Sequence, residues 1–228
     1  ALGAEVYYGE MGADRVMVWD GAANRQVWSR RGCGPTSVAR GPEGSLYVLC
    51  HVEAAVVRIT PAGATLSVRT EDDAGRGFPT PNASVNDAVG GMYFSSSGIF
   101  SPGVPGTGAV LYLDAKGHIR RIADGFRYAN GVALSADGRT LFVSEHFARR
   151  VIAFDVTAPG VVSSPRVFLR LDDVVAEDPD RGWEAGPDGL ATDADGNLYV
   201  AEYGGGRLVI VDRDAAPVAT IDFPEKFT

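Results

Sequence analysis

The sequence contains few of the side chains that bind soft metals. Its 228 residues include two cysteines and three histidines, so a cysteine-rich zinc site is excluded. The histidines, His51, His118 and His146, are scattered along the chain and form no HExxH pattern, which argues against a zinc centre built on histidine. A metal site in this protein would therefore use oxygen ligands and suit a hard cation such as calcium.

The sequence also lacks long apolar runs and an excess of positive charge. No apolar run approaches the roughly 18 residues that a transmembrane helix needs. The formal net charge is −8, which disfavours nonspecific binding to nucleic acids or anionic membranes. The 29 glycines and 13 prolines are fewer than a low-complexity chain carries. We therefore expect a folded protein whose partners include neither a membrane nor a nucleic acid.

What the sequence does contain is a repeated unit of four short alternating runs. Two runs joined by a glycine-containing turn form a predicted β-hairpin, and two further runs follow each hairpin. The four hairpins begin at Pro35, Pro81, Ala129 and Pro187, which are 46, 48 and 58 residues apart. A four-stranded repeat of about 45 residues is typical of a β-propeller. An antiparallel sandwich is the alternative, but sandwiches do not repeat a turn motif in register.

Three stretches depart from this repeat. Residues 6–28 carry runs for only the last three strands of a further unit. Residues 95–108 are rich in Ser, Gly and Pro, and residues 171–186 are acidic and include Trp183 and Glu184. Long insertions between blade strands are where propellers usually place lids and pocket walls. We therefore expect the last two stretches to set substrate specificity.

One position of the repeat carries an oxygen-bearing side chain in all four hairpins. It lies just before the predicted inner strand and is occupied by Thr36, Asn82, Asn130 and Asp188. The same position in successive blades lies at the same height around the propeller axis, so the last three residues would form a ring of oxygens suited to calcium. The alternative is that these residues only cap turns, since such side chains bond nearby backbone amides.

Three motifs resemble the family of senescence marker protein, gluconolactonase and luciferin-regenerating enzyme. They are residues 130–145 (NGVALSADGRTLFVSE), 187–201 (PDGLATDADGNLYVA) and 204–208 (GGGRL), and the resemblance extends from about residue 7 to residue 223. It implies an all-β, six-bladed β-propeller with one divalent cation on its axis, usually calcium, and lactonase activity.

The resemblance also implies roles for individual residues. Asn130 and Asp188 fall on metal ligands, and Asn82 falls on an Asn that contacts metal or substrate. Asp188 also falls on the residue that acts as general base or nucleophile. The family's first acidic ligand has no match here, because Glu5 lies too close to the first strand.

Two more side chains are candidates for substrate binding. His146 and Glu202 lie at the ends of the second strands of their hairpins, where they could line the upper pocket. The alternative is that each is a buried side chain bonded to a neighbouring blade.

The predicted function is calcium-dependent hydrolysis of a small-molecule lactone or ester. The metal would bind the carbonyl oxygen, and Asp188 would activate water or attack directly. Two alternatives stay open. One is a strictosidine-synthase-like propeller that needs no metal, and the other is a noncatalytic propeller that binds a ligand on its face.

Chain length and the two cysteines give the last expectations. Six blades need about 270 residues, so residues 1–228 are predicted to form one incomplete propeller domain of about five blades. The sixth blade and the closing strand would come from a second chain or from flanking residues. Cys33 and Cys50 lie near one end of a predicted hairpin, where a disulfide could form. A disulfide would favour export; free thiols would leave both a cytoplasmic and an exported location open.

Overall fold

The computed structural model describes residues 5–176 and 182–226, and these residues form short antiparallel strands. The strands are β1 (Val6–Glu10), β2 (Arg15–Trp19), β3 (Asn24–Ser29), β4 (Pro35–Arg40), β5 (Leu46–Cys50), β6 (Ala55–Ile59), β7 (Thr65–Arg69), β8 (Pro81–Asn86), β9 (Met92–Ser96), β10 (Gly108–Leu113), β11 (Ile119–Phe126), β12 (Ala129–Leu134), β13 (Thr140–Glu145), β14 (Arg150–Ala158), β15 (Val161–Arg170), β16 (Gly186–Thr192), β17 (Leu198–Tyr203), β18 (Arg207–Val211) and β19 (Pro217–Asp222). Short 3₁₀ turns lie at Met11–Ala13, Pro42–Gly44, His146–Ala148 and Leu171–Asp173.

The strands form five antiparallel sheets arranged as a β-propeller. Each sheet pairs its strands in chain order: β1–β3, β4–β7, β8–β11, β12–β15 and β16–β19. The first strands of the four-stranded sheets, β4, β8, β12 and β16, lie against one another in sequence around the axis. The predicted all-β propeller and its four repeated hairpins are therefore confirmed. A sixth blade stays a prediction, as does the description of residues 1–228 as one incomplete domain.

A repeated ion pair shows which strands of the first sheet are present. In three sheets a glutamate at the end of one strand pairs with an arginine at the start of the next. These pairs are Glu10–Arg15, Glu145–Arg150 and Glu202–Arg207. Glu145 is the last residue of β13 and Glu202 the last but one of β17, and both strands are second in their sheets, so β1 is equivalent to a second strand. Residues 6–29 thus supply the second, third and fourth strands, as the sequence predicts.

The hydrophobic core lies between neighbouring sheets. Side chains of a strand alternate between its two faces, and both faces of the middle strands are buried. In β9, Met92 and Phe94 pack toward the preceding sheet, whereas Tyr93 packs toward the following one. Each fully buried side chain of this size contributes about 1.5–3 kcal/mol. This packing on both faces fixes the angle at which each sheet presents its inner strand to the axis.

The two cysteines are bonded to each other. Cys33 and Cys50 form a disulfide with their Cα atoms 4.5 Å apart, and both are fully buried. In the β12–β15 sheet the equivalent place holds Glu145, whose Oε1 accepts the backbone N–H of Arg127 at 2.9 Å. The disulfide therefore joins covalently two positions whose equivalents in the β12–β15 sheet, Arg127 and Glu145, are joined by a hydrogen bond. A disulfide is compatible with export.

No helix in the described part of the chain has the length and apolar character needed to cross a membrane.

Candidate functional site

A repeated bulge in the first strand of each four-stranded sheet brings polar side chains toward the axis. In β12 the pairing with β13 is regular at Ala129 and resumes at Val132, so Asn130 and Gly131 lie opposite one residue. The same irregularity falls after Pro35, Pro81 and Pro187. A β-bulge of this kind redirects a side chain. The prediction that the four polar residues precede the inner strand is therefore wrong, because they lie inside the strand at its bulge.

Three hydroxyl groups hold these bulges at a fixed height. Ser95 Oγ donates to the backbone oxygen of Asn130 at 2.5 Å, and Ser144 Oγ donates to that of Asp188 at 2.7 Å. The same serines accept backbone N–H groups within their own sheet, from Ala83 at 3.0 Å and from Gly131 at 2.7 Å. Each serine thus joins the bulge of its own sheet to the bulge of the next.

Thr36 forms the corresponding hydrogen bond between the β4–β7 sheet and the β8–β11 sheet. Its Oγ1 donates to the backbone oxygen of Asn82 at 2.8 Å. A hydroxyl therefore fixes the backbone of each of the three residues predicted to act at the axis, and in all three cases it leaves their side chains unconstrained.

The bulge residues converge on one cavity of about 330 Å³ at this end of the axis. Thr36, Asn82, Asn130 and Asp188 all line it, as the repeat predicts. The cavity is also lined by Met11, His51, Phe100, Tyr128, His146 and Tyr203. A volume of this size suits a small molecule.

The ends of the second strands of the sheets also place equivalent residues in the cavity. Four lining residues come directly after the last position at which β1, β5, β13 and β17 pair with the strand that follows each of them. They are Met11, His51, His146 and Tyr203. The cavity therefore takes one side chain from each bulge and one from the end of each of these strands.

A hydrogen-bond network runs through the polar side of the cavity. Asn82 Nδ2 donates to Asn130 Oδ1 at 2.7 Å and to Ser97 Oγ at 2.9 Å. The Asn130 side chain in turn hydrogen-bonds the Asp188 carboxyl group. Since Asn130 Oδ1 accepts from Asn82, its Nδ2 is the atom that donates to Asp188. The three predicted axial residues are thus in one network.

The Asp188 carboxyl group is held in a poorly solvated position. Burial raises its pKa from 3.8 to about 6, and the hydrogen bond from Asn130 opposes that rise. Asp188 is half-buried and lines the cavity. Among the described residues that line the cavity there is no lysine or arginine. Asp188 is therefore ionised at neutral pH in a place that stabilises its charge poorly.

The two cavity histidines are bound to neighbouring sheets. His51 Nδ1 lies 3.2 Å from the backbone oxygen of Pro81, and His146 Nδ1 lies 3.3 Å from that of Pro187. His146 Nε2 is also 2.7 Å from the backbone oxygen of Glu184. Burial lowers the pKa of both histidines, so both are neutral at pH 7. His146 lines the cavity, and its role in substrate binding stays a prediction.

Glu202 lies away from the cavity. Its side chain is fully buried and pairs with Arg149 and Arg207, each at 2.9 Å. The next residue, Tyr203, faces the cavity instead, because successive side chains of a strand point in opposite directions. The geometry gives Glu202 a place in the packing between sheets, whereas its predicted contact with substrate stays untested.

Neither Phe100 nor Tyr128, which both line the cavity, was predicted from the sequence. Phe100 lies in the segment between β9 and β10, and Tyr128 precedes β12. Tyr128 has a φ of 67°, a left-handed conformation that costs a non-glycine residue about 1–3 kcal/mol and is frequent at functional sites. No repeat in the sequence indicates a role for Phe100. Tyr128, however, directly precedes Ala129 and Asn130 of the repeated motif, and this position could have suggested that it lies at the site.

The donor set fits a hard divalent cation in its chemistry. Asp188 offers a carboxylate and the two asparagines offer amide oxygens, which calcium and magnesium prefer. Asn130 presents its Nδ2 to Asp188, so its amide would have to turn over to present oxygen. No group of three or more His, Cys, Asp or Glu side chains in the described ranges is placed to hold a metal. A cation here would therefore be held by Asp188, Asn130 and Asn82, with water completing its shell.

A larger cleft of about 490 Å³ lies at the opposite end of the strands. Its carboxylates are already engaged in turns. Asp87 accepts the backbone N–H of Gly91 at 2.7 Å and the Tyr112 hydroxyl at 2.6 Å, and Asp137 accepts the Ser135 hydroxyl at 2.6 Å. Hydrogen bonds from the Ser135 hydroxyl and the Arg139 N–H lower the pKa of Asp137. The smaller axial cavity, by contrast, contains a carboxyl group whose pKa burial raises to about 6.

Comparison with known proteins agrees with this architecture. A sequence model described as SMP-30/Gluconolactonase/LRE-like region matches residues 3–228. A lactonase, drp35, from Staphylococcus saprophyticus is 34% identical over 146 residues, which cover 61% of this chain and 41% of that protein. The chain thus spans about two fifths of the length of this curated relative.

Solved structures share the fold at low sequence identity. A gluconolactonase from Xanthomonas campestris superimposes with a TM-score of 0.77 at 22% identity, over 97% of this chain and 73% of that one. Regucalcin from Agrobacterium tumefaciens, described as a calcium-binding protein, gives a TM-score of 0.78 at 16% identity, over 99% and 72%. At these identities the two structures establish the fold of the chain alone.

Proposed function

The chain belongs to the SMP-30/gluconolactonase/LRE-like family, and from that premise we propose that it hydrolyses lactones in the axial cavity with Asp188 as general base. Its relatives support the reaction class, since drp35 is described as a lactonase and the Xanthomonas protein as a gluconolactonase. The observation that carries the proposal is the Asp188 carboxyl group, which lies in a small-molecule cavity with a pKa raised to about 6.

The environment of Asp188 suits proton transfer near neutral pH. A general base works best when its pKa is close to the working pH, and burial brings Asp188 from 3.8 toward that range. The Asn130 amide, fixed by Asn82 at 2.7 Å, orients the carboxylate toward the cavity. Asp188 would take a proton from water as the water oxygen bonds to the acyl carbon. It would return the proton to the ring oxygen as the acyl C–O bond breaks.

A divalent cation is the second part of the proposal. The regucalcin structure is described as that of a calcium-binding protein, and the oxygen donors of Asp188, Asn130 and Asn82 suit calcium. When bound, such a cation would supply Lewis-acid stabilisation of the charge that develops on the lactone oxygen. The hydrogen bonds from Thr36, Ser95 and Ser144 hold the backbone of these three residues at the cavity and leave their side chains free to turn toward a cation.

The proposal is tested by lactone hydrolysis in a proton-release assay. The protein is first dialysed against a chelator, and calcium or magnesium is then titrated in. We expect Asp188→Asn to lower kcat by about 10²–10⁴-fold, the usual contribution of a positioned base. Asp195→Asn is the matched control, since Asp195 is exposed in the β16–β17 turn at the opposite end of the sheet and its substitution should leave the rate unchanged.

Three outcomes would contradict parts of the proposal. Unchanged turnover in Asp188→Asn would show that Asp188 is not the base. Turnover that neither a chelator nor added calcium affects would refute the cation and favour a metal-independent propeller. Ligand binding without turnover of any lactone or ester would identify a noncatalytic binding protein.

A further inference from the structure

A wall of aromatic side chains flanks one side of the axial cavity. We name it the aromatic wall, and it consists of Phe100, Tyr128, Phe147 and Trp183. The Phe100 ring lies 4.9 Å from those of Tyr128 and Phe147 and 5.8 Å from that of Trp183, centroid to centroid. The rings of Phe147 and Trp183 are stacked, 6.2 Å apart at an interplanar angle of 15°. Phe100 and Tyr128 also line the cavity, so the wall continues from its interior to its mouth.

The outer part of the wall is open to solvent. Phe100 is 43% exposed and Trp183 is 64% exposed. Single exposed apolar residues are ordinary, but here two large rings from distant parts of the chain touch each other at the mouth of a cavity. The wall therefore presents an apolar surface that a bound molecule could cover.

Hydrogen bonds hold the segments that carry the wall. Arg127 Nη2 donates to the backbone oxygen of Pro102 at 2.8 Å, and Thr107 Oγ1 accepts the N–H of Ile99 at 3.0 Å, which fixes the segment of Phe100. Arg149 Nη1 donates to the backbone oxygen of Ala185 at 2.9 Å close to Trp183. The rings are thus presented by anchored backbone on both sides.

Several polar groups of the cavity are already engaged within the protein and are not available to a polyhydroxylated ligand. Asn82 and Asn130 bond each other, and the Thr36 hydroxyl donates to backbone. The Nδ1 atoms of His51 and His146 face backbone oxygens. A sugar lactone would bring several hydroxyl groups that need partners, and each one left unpaired weakens binding. Together with the aromatic wall, this distribution favours an apolar ligand.

We propose that the substrate is a neutral lactone that carries a planar apolar group, aromatic or fused-ring, and that this group packs against the aromatic wall. The inference rests on the proposed lactone hydrolysis and adds the substrate class. Aromatic groups prefer edge-to-face or offset contacts with rings 4.5–7 Å apart. The rings of Phe100 and Trp183 could make contacts of both geometries with such a group.

The test compares two lactones that differ in the planar group alone. Isochroman-3-one and δ-valerolactone both contain a six-membered lactone ring and both release an alcohol, but only the first carries a fused benzene ring. We expect kcat/KM for isochroman-3-one to be at least tenfold higher. Phe100→Ala and Trp183→Ala should each lower the ratio of the two kcat/KM values about tenfold. Val89→Ala is the matched control, because Val89 is an exposed apolar residue at the opposite end of the sheet.

A second measurement separates substrate class from catalysis. The ketone 2-tetralone has the shape of isochroman-3-one but cannot be hydrolysed, and cyclohexanone lacks the aromatic ring. Quenching of tryptophan fluorescence should show tighter binding of 2-tetralone, and Phe100→Ala should weaken it about tenfold. Tight, Phe100-dependent binding without lactone turnover would support the apolar subsite while the hydrolase proposal fails. Asp188-dependent turnover with equal kcat/KM ratios in all variants would overturn the inference while the hydrolase proposal stands.

Discussion

Replacing Asp188 by asparagine is expected to make the protein more stable at neutral pH while it removes the proposed base. The pKa of this carboxyl group rises from 3.8 to about 6 on folding because protein displaces most of the water around it. A shift of about 2 pKa units corresponds to about 3 kcal/mol. This is an upper value, because the side chain borders the cavity. Asparagine keeps an oxygen for the Asn130 N–H and carries no charge.

The pH dependence follows from the direction of the shift. Below about pH 3.8 the carboxyl group is protonated in both the folded and the unfolded chain, so Asp188 imposes no penalty. Between about pH 3.8 and 6 the folded chain holds the proton more strongly, and stability falls as the pH rises. Above about pH 6 the penalty is constant. In Asp188→Asn, the contribution of Asp188 to the fall in stability between about pH 3.8 and 6 should therefore be absent.

The measurement is urea-induced unfolding at pH 5 and pH 7.5 in the presence of a chelator. At pH 7.5 the free energy of unfolding of Asp188→Asn should exceed that of the unsubstituted protein by 1–3 kcal/mol or so, and the difference should shrink at pH 5. Asp195→Asn is the control, and it should show neither effect. Equal stability of Asp188→Asn and the unsubstituted protein at pH 7.5 would refute the reasoning.

Calcium adds a second arm to this experiment. A ligand at 100 times its Kd stabilises the folded state by about 2.7 kcal/mol. If Asp188 holds the proposed cation, added calcium should stabilise the unsubstituted protein and have little effect on Asp188→Asn. Equal stabilisation of both proteins would place any calcium site elsewhere.

Three further variants test the structure around the cavity. Ser144→Ala leaves the Gly131 N–H and the Asp188 backbone oxygen without their partner, so it should cost about 1–3 kcal/mol and lower kcat more than it changes KM, measured by urea unfolding and lactone assay. Replacing Cys33 and Cys50 by alanine should cost about 3 kcal/mol for a separation of 17 residues, and dithiothreitol should then no longer change the unfolding midpoint. Glu202→Gln should cost about 3–5 kcal/mol, because two arginines lose a buried partner, while the pH profile of activity keeps its midpoint.

The axial site could be predicted from the sequence because it repeats. Asn82, Asn130 and Asp188 occupy equivalent positions in successive hairpins, and closure around an axis brings equivalent positions together. The repeat could not show that these residues lie inside the first strand at a bulge. A bulge changes the pairing by one residue and leaves the alternation of apolar side chains on either side almost intact.

The aromatic wall could not be predicted from the sequence. Phe100 and Trp183 lie in the two stretches that exceed the repeat, so no equivalent position in another sheet predicts where they point. The alternation of side chains along a strand also limited the prediction of site residues. Glu202, a predicted substrate-binding residue, and Tyr203 are adjacent, and neighbouring side chains on a strand face opposite ways. Only Tyr203 reaches the cavity, and Glu202 is left for the ion pairs between sheets.

The hydroxyl bonds explain how one backbone can serve different chemistries. Thr36, Ser95 and Ser144 bind the backbone oxygens of the bulge residues, so a bulge keeps its position when its side chain changes. The turn positions show the same freedom, since equivalent backbone carries Met11, His51, His146 and Tyr203. A shared fold at about one fifth identity therefore fixes where side chains enter the cavity and leaves open which ones they are. What this chain does depends on the particular set it places there, a poorly solvated carboxyl group beside an aromatic wall.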